Sequence, residues 1–305
     1  MQPIPIVYEE PHFLLVNKPA ALFSQAAAGI DSLQSCLIEQ LKARDQHPGE
    51  PFVGLPHRLD RGTSGIMLIA RNQRALKRFG QQFQSRKVIK HYVAVVEGLC
   101  ASAAGVAAVE HSAASSVDPQ SSVAGQAAQR WEDYLRKVPG LPQAEIVTAD
   151  VEGAKLAVAR TECLHSAGGL SLLRIQLETG RMHQIRIQAA SRGMPVLGDA
   201  SYGAELPWSA NSEGAPAVES QTDARAASQL ALSVICDAAD TLNADTARPG
   251  MNEFDAHGHP PIALHAWSLE FRHPQTAKSL RFVAPLPANW QQLPAELRTA
   301  IAGLV

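Results

Sequence analysis

Most of the sequence features that announce a cofactor, a metal or a membrane are missing from this chain. Cysteine is scarce: Cys36, Cys100, Cys163 and Cys236 are scattered over 305 residues with no CxxC pair. That spacing argues against a disulfide framework or a structural zinc site and leaves reduced thiols as the expectation. No GxxxxGK and no GxGxxG occurs, so no phosphate cradle for a nucleotide cofactor is written in the sequence. The longest apolar runs, such as Phe13 to Val16 and Ile66 to Ala70, are far too short to cross a bilayer. The start, MQPIPIVYEE, has no basic stretch followed by an apolar one, so no secretory signal is expected. A cytoplasmic protein with no membrane partner follows. His257-Gly258-His259 has no third ligand at a recognisable spacing, and no metal is expected there.

What is present is a strong asymmetry of charge. The net charge is only −2, which excludes a protein that coats nucleic acid indiscriminately. Yet His57 to Tyr92 carries nine Lys or Arg against one acid, Asp60, whereas Ala204 to Ala256 carries nine acids against Arg225 and Arg248. A basic core segment beside an acidic insertion fits localised contact with a polyanion.

With 46% hydrophobic residues the chain can bury a large core, and its patterning alternates between strands and helices. Short strands are expected at Pro5 to Glu9 and His12 to Asn17, then a helix from Asp31 to Arg44 with Asp31 as cap and Leu33, Leu37, Ile38 and Leu41 on one side. Gly65 to Ala70 reads as a buried strand, Asn72 to Ser85 as a basic amphipathic helix, and Val88 to Val96 as a strand with Lys90 and Tyr92 on one face. Alanine and serine dominate Ala101 to Gln129. Strand patterning returns at Ala149 to Arg160 and Leu170 to Leu177, and a helix is possible at Thr222 to Ala239. Strands at Ala263 to Phe271 and Ser279 to Val283 and a helix at Asn289 to Ala302 complete the chain. The sum is one α+β domain over 1–305 with a low-complexity insertion at about 101–130 and an acidic one at about 204–260.

Two clusters could carry chemistry. His57-Arg58-Leu59-Asp60-Arg61-Gly62-Thr63-Ser64-Gly65 precedes an apolar strand, so Asp60 should sit on a loop at the strand's end. Flanked by Arg58 and Arg61, its carboxylate should stay ionised, as a nucleophile, a base, or simply half of a salt bridge that fixes a turn. Thr179-Gly180-Arg181-Met182-His183-Gln184-Ile185-Arg186 packs planar and bidentate donors suited to phosphates and base edges into one turn, with Ile185, Ala189 and Ala190 as the apolar side of a short helix. Pro195 to Gly203 alone reads as a turn-rich connection. His-Arg-Leu-Asp also occurs in kinase catalytic loops, but no Asp-Phe-Gly and no glycine-rich loop accompany it.

Taken in order, these pieces resemble the RluA-type branch of the RNA pseudouridine synthases. The matching runs are Leu14-Leu15-Val16-Asn17-Lys18-Pro19, the HRLD run with Thr63-Ser64-Gly65, Lys90-His91-Tyr92, Thr179 to Arg186, Pro195-Val196-Leu197-Gly198-Asp199 with Tyr202-Gly203, Leu264-His265-Ala266 and Phe271-Arg272-His273-Pro274. The resemblance implies the pseudouridine synthase fold: a central, largely antiparallel mixed sheet flanked by helices and loops. It implies isomerisation of uridine to pseudouridine in structured RNA, tRNA or ribosomal RNA, by a monomer with no cofactor. Asp60 matches the essential aspartate, Tyr92 the catalytic tyrosine that stacks on the target base and assists proton removal from carbon 5, and Arg181 the basic catalytic residue that pairs with the aspartate. Arg58 matches an arginine that holds the target nucleotide out of its stack, and Leu197 an aliphatic residue lining the pocket. His183, Gln184 and Arg186 are expected to contact substrate or organise the pocket. Met182 and Gln188 stand where the family commonly has a small hydroxyl residue and a histidine, departures expected to reshape RNA contacts. The catalytic pattern begins by about Pro5, so no N-terminal RNA-binding domain is expected. A scaffold that binds RNA without catalysis, and a hydrolase with Asp60 as nucleophile, are the rival readings.

Overall fold

A computed structural model describes residues 3–46, 49–100, 128–209 and 260–304. The expected insertions lie outside these residues except at 128–130, 204–209 and 260, as do the possible 222–239 helix and the His257-Gly258-His259 pair.

Ten strands form one mixed sheet, as expected for an α+β domain of this family. They are β1 (Ile6–Glu9), β2 (Phe13–Lys18), β3 (Ser64–Ala70), β4 (Ile89–Glu97), β5 (Gln129–Lys137), β6 (Ala144–Val147), β7 (Lys155–Ala167), β8 (Leu170–Leu177), β9 (Leu264–Arg272) and β10 (Ser279–Val283). The order is β1-β2-β3-β9-β4-β8-β7-β5-β6, with β10 pairing β9. Every pairing is antiparallel except β3 with β9. Two apolar layers sandwich the sheet. On one face Tyr92, Ala94 and Val96 join Leu33, Leu37 and Leu41 of α1 (Leu33–Asp45) and Ala75 and Phe79 of α2 (Gln73–Gln84). On the other face Val93 and Val95 pack with Trp267, Trp290, Leu293 and Leu297. The two-residue period of a strand sends alternate β4 side chains to opposite layers.

Four local expectations are corrected. The cap of α1 is Ser32 rather than Asp31: its side chain accepts from Ser35 N–H, and Ser35 Oγ in turn accepts from Ser32 N–H. Residues 149–154 turn rather than extend, with Val151 N–H donating to Thr148 O, and β7 starts at Lys155. Strands β5 and β6 were not expected, because five charges in Gln129–Lys137 mask an apolar period carried by the buried Trp131 and Leu135. The C-terminal helix is broken by Pro294 into a 3-10 turn at Ala288–Gln292 and α4 (Ala295–Ala302).

One glycine fixes how the chain enters β3. Gly65 has φ +120, and a Cβ there would lie 2.3 Å from Ala266 O and 2.5 Å from Ala266 N. Only a residue without a side chain lets β3 approach β9 this closely. Gly65→Ala is expected to cost on the order of 3 kcal/mol, read as a lower urea midpoint at unchanged m-value. Gly80 of α2 has open space around its Cβ position, and Gly80→Ala is expected to raise stability by about 0.5–1 kcal/mol, read as a higher urea midpoint.

Candidate active site

The loop bearing Asp60 is clamped from below by residues 18–24. Lys18, fully buried, donates from Nζ to Leu22 O at 2.7 Å, Pro19 O at 2.9 Å and Arg61 O at 3.3 Å. Burial drives its amine down to about 7, against the pull of the Asp60 charge. Ser24 Oγ donates to Leu59 O at 2.7 Å and accepts from Leu59 N–H at 3.0 Å. Arg61 donates to Ala21 O at 3.2 Å, with its guanidinium 4.7 Å from the centre of the Phe23 ring. Arg61 is therefore an anchor of the loop, and the expected flanking of Asp60 by Arg58 and Arg61 does not form. Arg58 is exposed at the rim of the cleft.

That cleft encloses about 770 Å³, within the usual range for a ligand site. Asp60, Tyr92, Arg58, Arg181, His183, Gln184 and Arg186 all line it. Tyr92 reaches it because β9 bridges β3 and β4: Ala266 pairs with Gly65 on one side and Tyr92 on the other. Burial first, and then the Asp60 charge, push the Tyr92 phenol well above its ordinary value, so the hydroxyl keeps its proton at neutral pH. Lys90 also lines the cleft, its amine lowered to about 8 by burial and by Arg86. His57 stacks on Phe83 at 4.5 Å and accepts the Leu68 N–H on Nε2 at 3.0 Å. Burial, and then the charge of Lys90, hold its ring down to about 3, so it is neutral.

The cation facing Asp60 is Arg186, where the sequence pointed to Arg181. Arg186 opens α3 (Gln184–Ala190), a helix already expected from Ile185 and Ala189. Its Nε and Nη2 grip Asp199 at 2.6 and 2.7 Å in a bidentate pair, and Nη1 lies 3.9 Å from Asp60 Oδ2. Asp199 is 1% exposed, while the Asp60 side chain is 32% exposed, so one carboxylate is sealed and the other is open to the cleft. Arg181 instead donates from Nε to Leu156 O at 3.0 Å; its half-buried position follows from β8 ending at Leu177, not from a charge partner.

Tyr202 braces this arrangement. Its ring lies 4.9 Å from the Arg186 guanidinium, its hydroxyl meets His183 Nδ1 at 2.9 Å, and the same oxygen accepts from Ala144 N–H at 2.9 Å. Gln184 Oε1 accepts from Thr179 Oγ1 at 2.8 Å and Arg181 N–H at 3.1 Å, so this glutamine organises the turn that carries the arginines. Leu197 does not line the cleft. Its backbone bonds Val95 and Ala263, and its side chain packs in the opposite apolar layer with Trp208 and Trp267. Leu264 supplies the apolar wall instead. Met182 lines the cleft, whereas Gln188 is fully buried and donates to Asp133 at 2.6 Å, outside the cleft's lining.

Sequence reasoning missed Asp199, Tyr202, Lys18 and Lys90 as parts of the site. Each stood within a recognised run, but nothing local marks Asp199 as a partner of a residue thirteen positions earlier. Among the described residues the only other acid lining the cleft, Glu178, is paired with Arg160 at 2.7 Å. The Asp60 and Glu178 side chains are equally exposed at 32%, but Glu178 bonds an arginine that is itself 62% exposed, whereas Asp60 faces the buried Arg186. Among the described residues the cleft thus combines one carboxylate set against a buried cation, one protonated phenol and a ring of further cations. Such a set can act on a nucleotide whose phosphates meet the cations and whose ring lies against the tyrosine. Among the described residues, no group of three or more His, Cys, Asp or Glu could hold a metal, and no helix is long and apolar enough to cross a membrane.

Residues 12–191 match the family model described as RNA pseudouridylate synthase. The chain is 30% identical over 298 residues to the ribosomal large subunit pseudouridine synthase D of Xylella fastidiosa, covering 97% of this chain and 70% of that one. It is 29% identical over 297 residues to the protein of the same name from Xanthomonas campestris, with the same shares covered. Its fold matches the solved structure of human RNA pseudouridylate synthase domain containing 4 with a TM-score of 0.60 at 19% identity, over 96% of this chain and 93% of the other.

Removing the sealed partner should be costly. Asp199→Ala leaves a guanidinium buried and half-paired, and is expected to lower stability by about 3–5 kcal/mol in urea unfolding; a loss below about 1 kcal/mol would contradict the pairing. The buried histidines give a pH dependence with a defined sign. His57 is held down to about 3 and His265 to about 4, both by burial, below the 6.5 of a free imidazole. Between these values the unfolded chain binds the extra protons, so stability falls as pH drops below 6.5, by about 1.4 kcal/mol per pH unit for each ring. Urea unfolding of His57→Gln over that window should show a slope shallower by one proton.

Proposed function

The chain belongs to the RNA pseudouridylate synthase family and is an RNA pseudouridine synthase, an isomerase, and on that premise we propose that it converts particular uridines of structured RNA with Asp60 as its catalytic carboxylate. The observation that supports this assignment is the setting of Asp60: it lines the cleft 3.9 Å from a buried arginine and near enough to Tyr92 for its charge to act on the phenol. Ribosomal RNA of the large subunit is the first substrate to expect, since that is what the names of the two bacterial relatives specify; transfer RNA is the alternative. All the proposed groups come from one chain, which supports action as a monomer, and a cytoplasmic location suits an RNA of that kind.

The reaction conserves every atom. The bond from ribose C1′ to base N1 breaks, the base turns, C1′ joins C5, the C5 proton leaves, and N1 takes up a proton. The Asp60 carboxylate acts either as a nucleophile on sugar or base or as a base toward a ribose proton. Arg186 aims that carboxylate, because its other donors are fixed on Asp199. Tyr92, holding its own proton, serves as a stacking platform and hydrogen-bond donor. The uridine must leave its stack to enter, at a cost of a few kcal/mol; stacking on an aromatic ring returns about 1–3 kcal/mol of this. Arg58, Arg181 and His183, at the rim, are placed to hold the flanking backbone.

Purified protein and unmodified transcripts of large-subunit ribosomal RNA and of transfer RNA test this reading by direct pseudouridine quantification. Asp60→Asn should abolish product while RNA affinity stays within about threefold, because an exposed carboxylate contributes little to phosphate binding. Tyr92→Phe should retain turnover. Product formed by Asp60→Asn would remove Asp60 from its role; conversion of transfer RNA alone would move the substrate.

A further inference from the structure

The turn that closes α2 is a ridge between two hollows. Phe83, Gln84 and Arg86 face the active cleft, whereas Gln82, Ser85 and Lys87, the alternate residues of the same turn, face a second hollow of about 260 Å³. The far wall of that hollow is Arg272 at the end of β9, and Arg78 of α2 closes it. Arg78 is fixed by donating to Pro274 O, and Gln82 bonds the Arg272 backbone twice, donating from Nε2 to its carbonyl at 2.8 Å and accepting its N–H at 2.8 Å. The walls are thus pinned to each other.

The charge of this hollow is uncompensated. Among the described residues Arg78, Lys87 and Arg272 form no ion pair, and neither do Arg74, Lys77 or Arg86 on the same helix and turn. Of the acids nearby in the fold, Glu9 is paired with Arg44 and Arg71, Glu10 with His273 of the hollow's own wall, and Glu270, two residues before Arg272 on β9, accepts from Ser279 Oγ and lies outside the hollow's lining. A favourable interaction with the helix dipole would account for Arg86 and Lys87, which follow the C-terminus of α2. It does not account for Arg272, which arrives from another strand. The last carbonyls of α2 are moreover occupied, Gln81 O by Ser85 N–H, Gln82 O by Lys87 N–H and Phe83 O by Arg86 N–H, which reduces the negative field that would repel an anion.

We propose that the hollow between α2 and the end of β9 is a second RNA-backbone site, taking a phosphodiester of the strand that continues over the 82–87 ridge from a nucleotide held in the active cleft. The site extends the family's RNA-modifying activity rather than replacing it: the cleft acts on the base, and the hollow fixes the register of the flanking chain. Its contacts are to phosphate, so it carries affinity and not sequence preference.

The test uses the full chain and an unmodified large-subunit ribosomal RNA transcript, with Lys87→Gln and Arg272→Gln singly and together; Arg78 is left alone because it holds Pro274. Dissociation constants are measured from about 50 to 200 mM salt. Each substitution should weaken binding by about three- to tenfold at the low end and flatten the dependence of log Kd on log salt by about 0.7–0.9. Lys87→Arg should restore the slope, and Arg298→Gln on α4 should leave it unchanged. If both Gln variants keep the wild-type affinity and slope while losing only thermal stability, these cations serve the helix end and the proposal fails. Conversion of the same transcript by wild type is scored in parallel; absence of product would count against ribosomal RNA as substrate, while the salt slope still reports on the hollow.

Discussion

A guanidinium sealed inside the protein between two carboxylates is the constraint around which the cleft is built. Taking Arg186 out of water costs several kcal/mol unless a counter-charge comes with it. Asp199 supplies that charge through two short parallel bonds and is itself 1% exposed. Because that pair uses Nε and Nη2, the remaining nitrogen is aimed at Asp60 without rotational freedom. The exposures are unequal: the buried carboxylate fixes the arginine, and the other opens to the cleft. Tyr202 adds its ring beneath the guanidinium and ties the pair to His183 and to the β5–β6 hairpin at Ala144.

The sheet supplies the rest of the alignment. β9 is shared by β3 and β4, so the Asp60 loop and Tyr92 are set from one backbone line through Ala266. Gly65 allows the close approach, and Lys18 and Ser24 lock the loop that precedes it. Lys18 lies buried without any carboxylate bonded to its amine; its partners are backbone carbonyls. Placing its charge there is tolerable because Asp60 lies close enough to oppose the burial cost.

Much of this was legible in the sequence wherever the signal was local. Leu33, Leu37 and Leu41 marked α1, alternation marked β4 with Lys90 and Tyr92 on the cleft side, and the apolar run after Gly65 marked β3. The ordered motifs identified the family and brought Asp60, Tyr92 and Arg186 into view together. What failed at the site was non-local. Arg181 and Arg186 stand five residues apart with equal chemistry, and only the path of α3 decides which one meets Asp60. Leu197 belongs to a recognised run, but the alternation of β4 and the packing of Trp208 and Trp267 draw it to the other face. β5 was hidden because an outer strand needs few apolar residues, and its charges looked like a loop.

Asp60 is the group proposed to perform the isomerisation. Pseudouridines mapped across all RNA of a strain lacking this protein, then of the same strain carrying wild type or Asp60→Ala, test that claim most directly. Sites should vanish on deletion, return with wild type, and stay absent with Asp60→Ala at equal protein level. Their return with Asp60→Ala would contradict it.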